Sequence, residues 1–167
     1  LPRVSFGPPL PVGYESLAEY LDLQVKGPIL PDEAAKRINF ELPPGVQILE
    51  IQEISLKSPS LFDMIEKVVY EVRFPESEPF PEDAVTRFRE AEKFLVLWTR
   101  KNRSLDLKEI VDFLDWEEGN RIRLALRAHR EGSLRPEEAL RLIFGRAEDP
   151  ELRSFPEVQK LEIYFKE

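Results

Sequence analysis

Strict alternation of apolar and polar side chains marks most of the extended segments in this chain. Leu21, Leu23 and Val25 alternate with Tyr20, Asp22 and Gln24; Val68, Tyr70, Val72 and Phe74 line one side of 67 to 74. Over 121 to 129, Ile122, Leu124, Leu126 and Ala128 point one way while Arg121, Arg123, Arg127 and His129 point the other. A period of two is the mark of a half-buried strand. Further strands are expected over 46 to 54, 94 to 99 and around Leu161, Ile163 and Phe165, with short extended pieces at 3 to 6 and 104 to 107. Spacing at Ile110, Val111 and Leu114 predicts a helix over 108 to 116, and 145 to 158 reads as a loop.

Helix starts follow one formula. Proline, two acids and alanine occur at Pro31-Asp32-Glu33-Ala34, Pro81-Glu82-Asp83-Ala84 and Pro136-Glu137-Glu138-Ala139. Proline suits the first helical turn, and the acids face the positive end of the helix dipole. Each start lies between two predicted strands, which is the signature of βαβ units, and two such units joined make a split βαββαβ. The fold class expected is therefore α+β, with two ferredoxin-like units in tandem. Ser55-Leu56-Lys57-Ser58-Pro59-Ser60 breaks the pattern and divides the chain into residues 1–57, an incomplete ββαβ unit, and residues 58–167, a complete one.

Composition narrows the chemistry. A chain of 167 residues, 42 % apolar and 34 % charged, is long enough to bury a core. No run of about 18 apolar residues is present to span a membrane, and the proline-rich opening does not read as a secretory leader. The expected location is cytoplasmic. With no cysteine, a thiolate nucleophile, a disulfide and cysteine ligation of zinc or an iron–sulfur cluster are all ruled out for these residues. Arginine outnumbers lysine 15 to 9, a balance that with abundant proline suits a thermophile. The net charge of −8 disfavours a polyanion over the whole surface, yet residues 100 to 146 carry a net +2.

The opening stretch Ser5-Phe6-Gly7-Pro8-Pro9-Leu10-Pro11-Val12-Gly13-Tyr14-Glu15-Ser16, followed by Ala18-Glu19-Tyr20-Leu21-Asp22, is rigid and shaped. Its prolines lack the N–H groups that a phosphate cradle needs, so it reads as a crossing between strands or a docking edge. It resembles the uncharacterised bacterial radical SAM-linked protein family. Ser104-Leu105-Asp106-Leu107 and Gly132-Ser133-Leu134-Arg135-Pro136-Glu137-Glu138 agree with that resemblance, which spans Val4 to about Phe144. The resemblance implies a partner, a radical S-adenosylmethionine protein, with any iron–sulfur cluster on that other polypeptide and no cofactor on this one. Family members begin some tens of residues earlier, with a strand and a helix carrying a Ser-His-Leu-Asp motif that this sequence does not include.

Two readings fit the arginines. Arg121, Arg123, Arg127 and His129, with Arg100, Lys101 and Arg103 nearby in sequence and Trp98 available to stack, form a nucleic-acid interface if the sheet face is open. Alternatively they are paired with glutamates on a solvated strand. Asp106 is either a ligand contact or the cap of the helix after it. Ser133 reads as a helix start, and His129 as a surface histidine or a general base. Asp112, Asp115, Glu117 and Glu118 lack the spacing of a calcium loop, so no metal site is expected. The function expected is an accessory or binding module working with a radical SAM enzyme and presenting an RNA substrate. The alternatives are an enzyme with His129 and Asp106 in a cleft between units, and a purely structural protein–protein adaptor.

Overall fold

The computed structural model describes residues 3–75, 81–98, 102–128, 134–145 and 157–166. The chain is mixed α+β and divides into two units, Leu1–Gly7 with Tyr20–Asp63, and Pro8–Glu19 with Met64–Glu167. Its first elements are β1 (Arg3–Phe6), β2 (Tyr14–Ser16), β3 (Leu21–Gln24), α1 (Pro31–Glu41), α2 (Leu61–Met64) and β4 (Ile65–Arg73). Then come α3 (Glu82–Glu90), β5 (Leu95–Trp98), β6 (Arg103–Asp106), α4 (Leu107–Ile110), β7 (Val111–Glu117), β8 (Arg121–Arg127), α5 (Pro136–Ile143) and β9 (Glu157–Phe165).

In the first unit, β1 and β3 pair antiparallel with Val4 opposite Leu23 and Phe6 opposite Leu21. Directly opposed side chains share a face, so these four apolar residues lie together, and all are exposed. The Gly7 N–H donates to the Tyr20 carbonyl at 2.9 Å, and a Cβ at residue 7 would come within 3.3 Å of that oxygen. Helix α1 starts at Pro31 as its sequence predicts but buries no residue. The strand expected over 46 to 54 does not form. Asn39 instead takes the backbone of Ile48, donating to its carbonyl at 3.0 Å and accepting from its N–H at 2.6 Å. A side chain has captured the groups that a ladder would have used.

The second unit holds a five-stranded sheet ordered β2-β9-β4-β8-β7. Its elements β4, α3, β7, β8, α5 and β9 run β-α-β-β-α-β along the chain and lie β9-β4-β8-β7 in the sheet. Ala84, Val85 and Phe88 of α3 and Ala139, Leu140 and Ile143 of α5 pack in one core with Val72, Ile122 and Leu124. Truncating a side chain as enclosed as Leu124 or Leu140 costs about 2–5 kcal/mol. Strands β5 and β6 form a separate two-stranded sheet.

Helical spacing over 108 to 116 is corrected by the structure: only α4, a single turn, is helical, and Val111 onward is strand β7. Gly119 (φ 79°) and Asn120 (φ 54°) adopt the left-handed conformation that lets β7 turn back onto β8. Strand β9 begins at Glu157, inside the segment read as a loop, and 146 to 156 lie outside the described residues. No helix among the described residues is long and apolar enough to cross a membrane.

Candidate functional site

Strand β8 presents its arginines as its alternation requires. Ile122, Leu124 and Leu126 are buried, and Arg121, Arg123 and Arg127 share the opposite face of the sheet. Each arginine meets a different environment. Arg127 donates through Nε at 3.1 Å and also through Nη2 to Oδ1 of Asp112, while Lys67 donates to Oδ2 of the same carboxylate at 2.6 Å. The hydrogen bond from Lys67 and then that from Arg127 outweigh partial burial and hold the Asp112 carboxyl below the usual carboxylate range. Arg121 lies 3.5 Å from Glu71 and 4.0 Å from Glu117, and its Nε donates to the Glu118 carbonyl. Glu71 is buried and also accepts from Arg73 Nε at 2.8 Å. Among the described residues Arg123 has no acidic partner, and its Nε is enclosed without an acceptor.

The remaining sequence-derived candidates are placed elsewhere or not described. Arg100, Lys101, His129 and Ser133 lie outside the described residues. Arg103 belongs to the β5–β6 sheet, where its guanidinium sits over the ring of Trp98 at 5.3 Å, and that tryptophan is buried in the core. Asp106 caps α4: its Oδ1 accepts from the N–H of Phe94 at 3.0 Å and of Lys108 at 3.1 Å. These two bonds, the first foremost, hold its carboxyl below the ordinary range. The structure thus brings Arg121, Arg123 and Arg127 together and leaves Arg103 and Asp106 on another sheet.

A second polar cluster escaped the sequence reading. Lys160 of β9 is 1 % exposed, and its Nζ donates to Glu19 at 2.6 Å and to the Pro8 carbonyl at 3.1 Å. The Ser16 hydroxyl donates to the same Glu19 oxygen, and the Leu17 N–H donates to the Lys160 carbonyl. Strand β2 runs parallel to β9, and the Tyr14 hydroxyl donates to Glu137 of α5. Burial first, then that bond, pushes the Tyr14 phenol up; burial and the charges of Glu19 and Glu137 do the same to Tyr70.

The proline-rich segment is therefore strapped to the sheet edge by a lysine and to α5 by a tyrosine. A phase shift hid the lysine. Register slips between Val69 and Tyr70, so Val158 and Lys160 face inward on one side of the bulge, and Ile163 does so on the other.

Convergent catalytic geometry is not found among these groups. A groove of about 230 Å³ is lined by Glu15, Glu71, Arg73, Glu157 and Gln159 with Gly13 and Val158, and holds no nucleophile paired with a base. Among the described residues no three His, Cys, Asp or Glu side chains gather where they could hold a metal ion. Among protein families, the model described as an uncharacterized protein conserved in bacteria, DUF2344, matches residues 1–136. No curated protein and no solved structure matches the chain.

Proposed function

The chain thus belongs to the uncharacterised bacterial family DUF2344, and on that premise we propose that it is a non-catalytic binding or accessory module, cytoplasmic, that works with a radical SAM enzyme. The partnership rests on the resemblance carried by the Ser5–Ser16 stretch. The observation that carries a binding role is the apolar surface of the first unit: Val4, Phe6, Leu21 and Leu23 share one face of a two-stranded sheet and all meet solvent. Elsewhere in the same unit, helix α1 carries another exposed apolar side chain, Phe40. Contiguous exposed apolar surface marks an interaction site, and a two-stranded sheet gains little stability by itself. The elements β4, α3, β7, β8, α5 and β9 read as one ferredoxin-like unit, with the first unit as a partial copy in tandem. RNA presentation is the finer form of the same proposal, and it depends on Arg123, since Arg121 and Arg127 already have acidic partners.

Co-purification of this chain with the radical SAM protein encoded beside it, with and without nuclease, tests the proposal. Recovery that survives nuclease is the expected result and identifies a direct protein contact. Recovery lost with nuclease makes RNA the bridge. No recovery in either arm sinks the accessory reading.

A further inference from the structure

We infer that β5 is a docking edge for a second copy of this chain: two β5 strands pair antiparallel about Val96 and join the β5–β6 ribbons of two molecules into one sheet. The inference stands on the ribbon alone and does not depend on the proposed partnership. Leu95 and Leu97 are 68 % and 59 % exposed, while Val96 and Trp98 pack towards the core. On the outer face β6 presents only Ser104 and Asp106, opposite Leu97 and Leu95. The exposed apolar side chains therefore belong to β5. Its backbone agrees. The Leu107 N–H donates to the Phe94 carbonyl, and antiparallel bonds alternate along a strand. Val96 and Trp98 thus direct their backbone groups to β6, and Leu95 and Leu97 turn theirs to the outer edge, where no strand among the described residues meets them.

The register selects the occupant. A two-fold axis through Val96 sets Leu95 opposite Leu97 of the second copy, and Leu97 opposite Leu95 of the second copy. These are the residues whose N–H and C=O groups point outward, so each leucine pair can exchange both ladder bonds. The leucines of both copies then form one apolar patch bordered by Ser104 and Asp106 on either side, an apolar centre with a polar rim. Leu-Val-Leu-Trp carries no charge, so pairing the strand with itself opposes no like charges. Edges in folded proteins are normally guarded against such pairing. In the five-stranded sheet β7 has a register slip between Val111 and Phe113 and the acids Asp115 and Glu117, and β2 is only three residues long. Strand β5 has no proline, glycine, charge or register slip. One short edge buries less than the roughly 1,200 Å² of a stable complex, so the dimer is a weak one that forms with rising concentration.

The test uses the whole chain, which has no cysteine of its own. Sedimentation equilibrium across a range of concentrations should show a monomer–dimer equilibrium, and Leu97→Lys should weaken it at least about tenfold by setting an ammonium against Leu95 of the second copy. Because Leu97 is exposed in the single chain, that variant should keep the wild-type thermal midpoint in dilute solution. Cross-linking reads the register. Leu95→Cys and Leu97→Cys, one of them isotope-labelled, are mixed in equal amounts under mild oxidation. The unlike disulfide should exceed either like one beyond random pairing, since positions 95 and 97 stand opposite each other across the axis and like positions do not.

A wild-type chain that stays monomeric up to about 1 mM overturns the inference. So does a dimer that Leu97→Lys leaves intact, or disulfides formed in the proportions of random pairing. If Leu23→Lys disperses the dimer and Leu97→Lys does not, the copies meet through the apolar face of β1 and β3, and the inference falls. If Leu97→Lys lowers the thermal midpoint even in dilute solution, the cross-links decide: an excess of the unlike disulfide sustains the β5 register, and random pairing removes it.

Discussion

The ammonium of Lys160 lies 2.6 Å from a carboxylate oxygen of Glu19, 141 residues away in the chain, and only the carboxylate end of the pair reaches solvent. The lysine's second acceptor is the Pro8 carbonyl. Breaking one side of a buried pair is worse than removing both, because it leaves an uncompensated charge. Glu19→Ala is expected to cost roughly 2–3 kcal/mol, a discount for the exposed carboxylate on the usual value for breaking such a pair. Adding Lys160→Met should recover most of that loss. Urea midpoints for the two single variants and the double check the coupling, and additive losses would remove the strap from the account.

That pair shows where sequence legibility ends. Strands β4 and β8 could be read from alternation, and α1, α3 and α5 from their proline starts, because those signals are local. Strand β2, three residues long, has too little alternation to register. Ile110, Val111 and Leu114 satisfy a helical spacing and equally a turn followed by a strand, and hairpin pairing with β8 decided between them. At 46 to 54 the alternating pattern was present, but Asn39 claimed the backbone of Ile48. The arginine face was legible as a face. Which guanidinium finds an acid is set by register with β4 and β7, and no single strand contains that information.

Acid stability should hinge on Asp112. Its folded pKa is depressed, chiefly by the Lys67 hydrogen bond and then by Arg127, so the stability it contributes is present above the ordinary carboxylate pKa of about 3.9 and lost as pH falls through the lower folded value. Asp112→Asn is expected to flatten the fall in stability below about pH 4 while lowering stability at neutral pH. Thermal midpoints measured across the acid range compare the two chains. An unchanged acid limb in the variant would assign the loss to other carboxylates.

Asp106 separates capping from ligand binding. It satisfies two backbone N–H groups, those of Phe94 and Lys108, so Asp106→Ala should lower stability as the loss of a cap does. Asp106→Asn retains an acceptor and should lose much less. Equilibrium denaturation of the two variants makes the comparison. Equal losses in both would mean that the charge, and not the hydrogen-bond geometry, matters at this position.

Tyr14 and Tyr70 give an alkaline readout of the same strap. Burial dominates both, and the Glu137 carboxylate that accepts from Tyr14 further disfavours its phenolate. Raised folded values mean that the stability these groups contribute is fully present below the unfolded tyrosine pKa of about 10 and is lost as pH rises through the higher folded values. Phenolate absorbance should therefore show Tyr14 and Tyr70 still protonated at about pH 10 and released only with unfolding. Tyr14→Phe should cost about 1 kcal/mol for the lost hydrogen bond, because it leaves Glu137 without that donor. The variant should also show less phenolate signal in the unfolding step and the same signal before it. Early ionisation of Tyr14 in the folded wild type would mean that β2 is not held against β9 and α5 in solution.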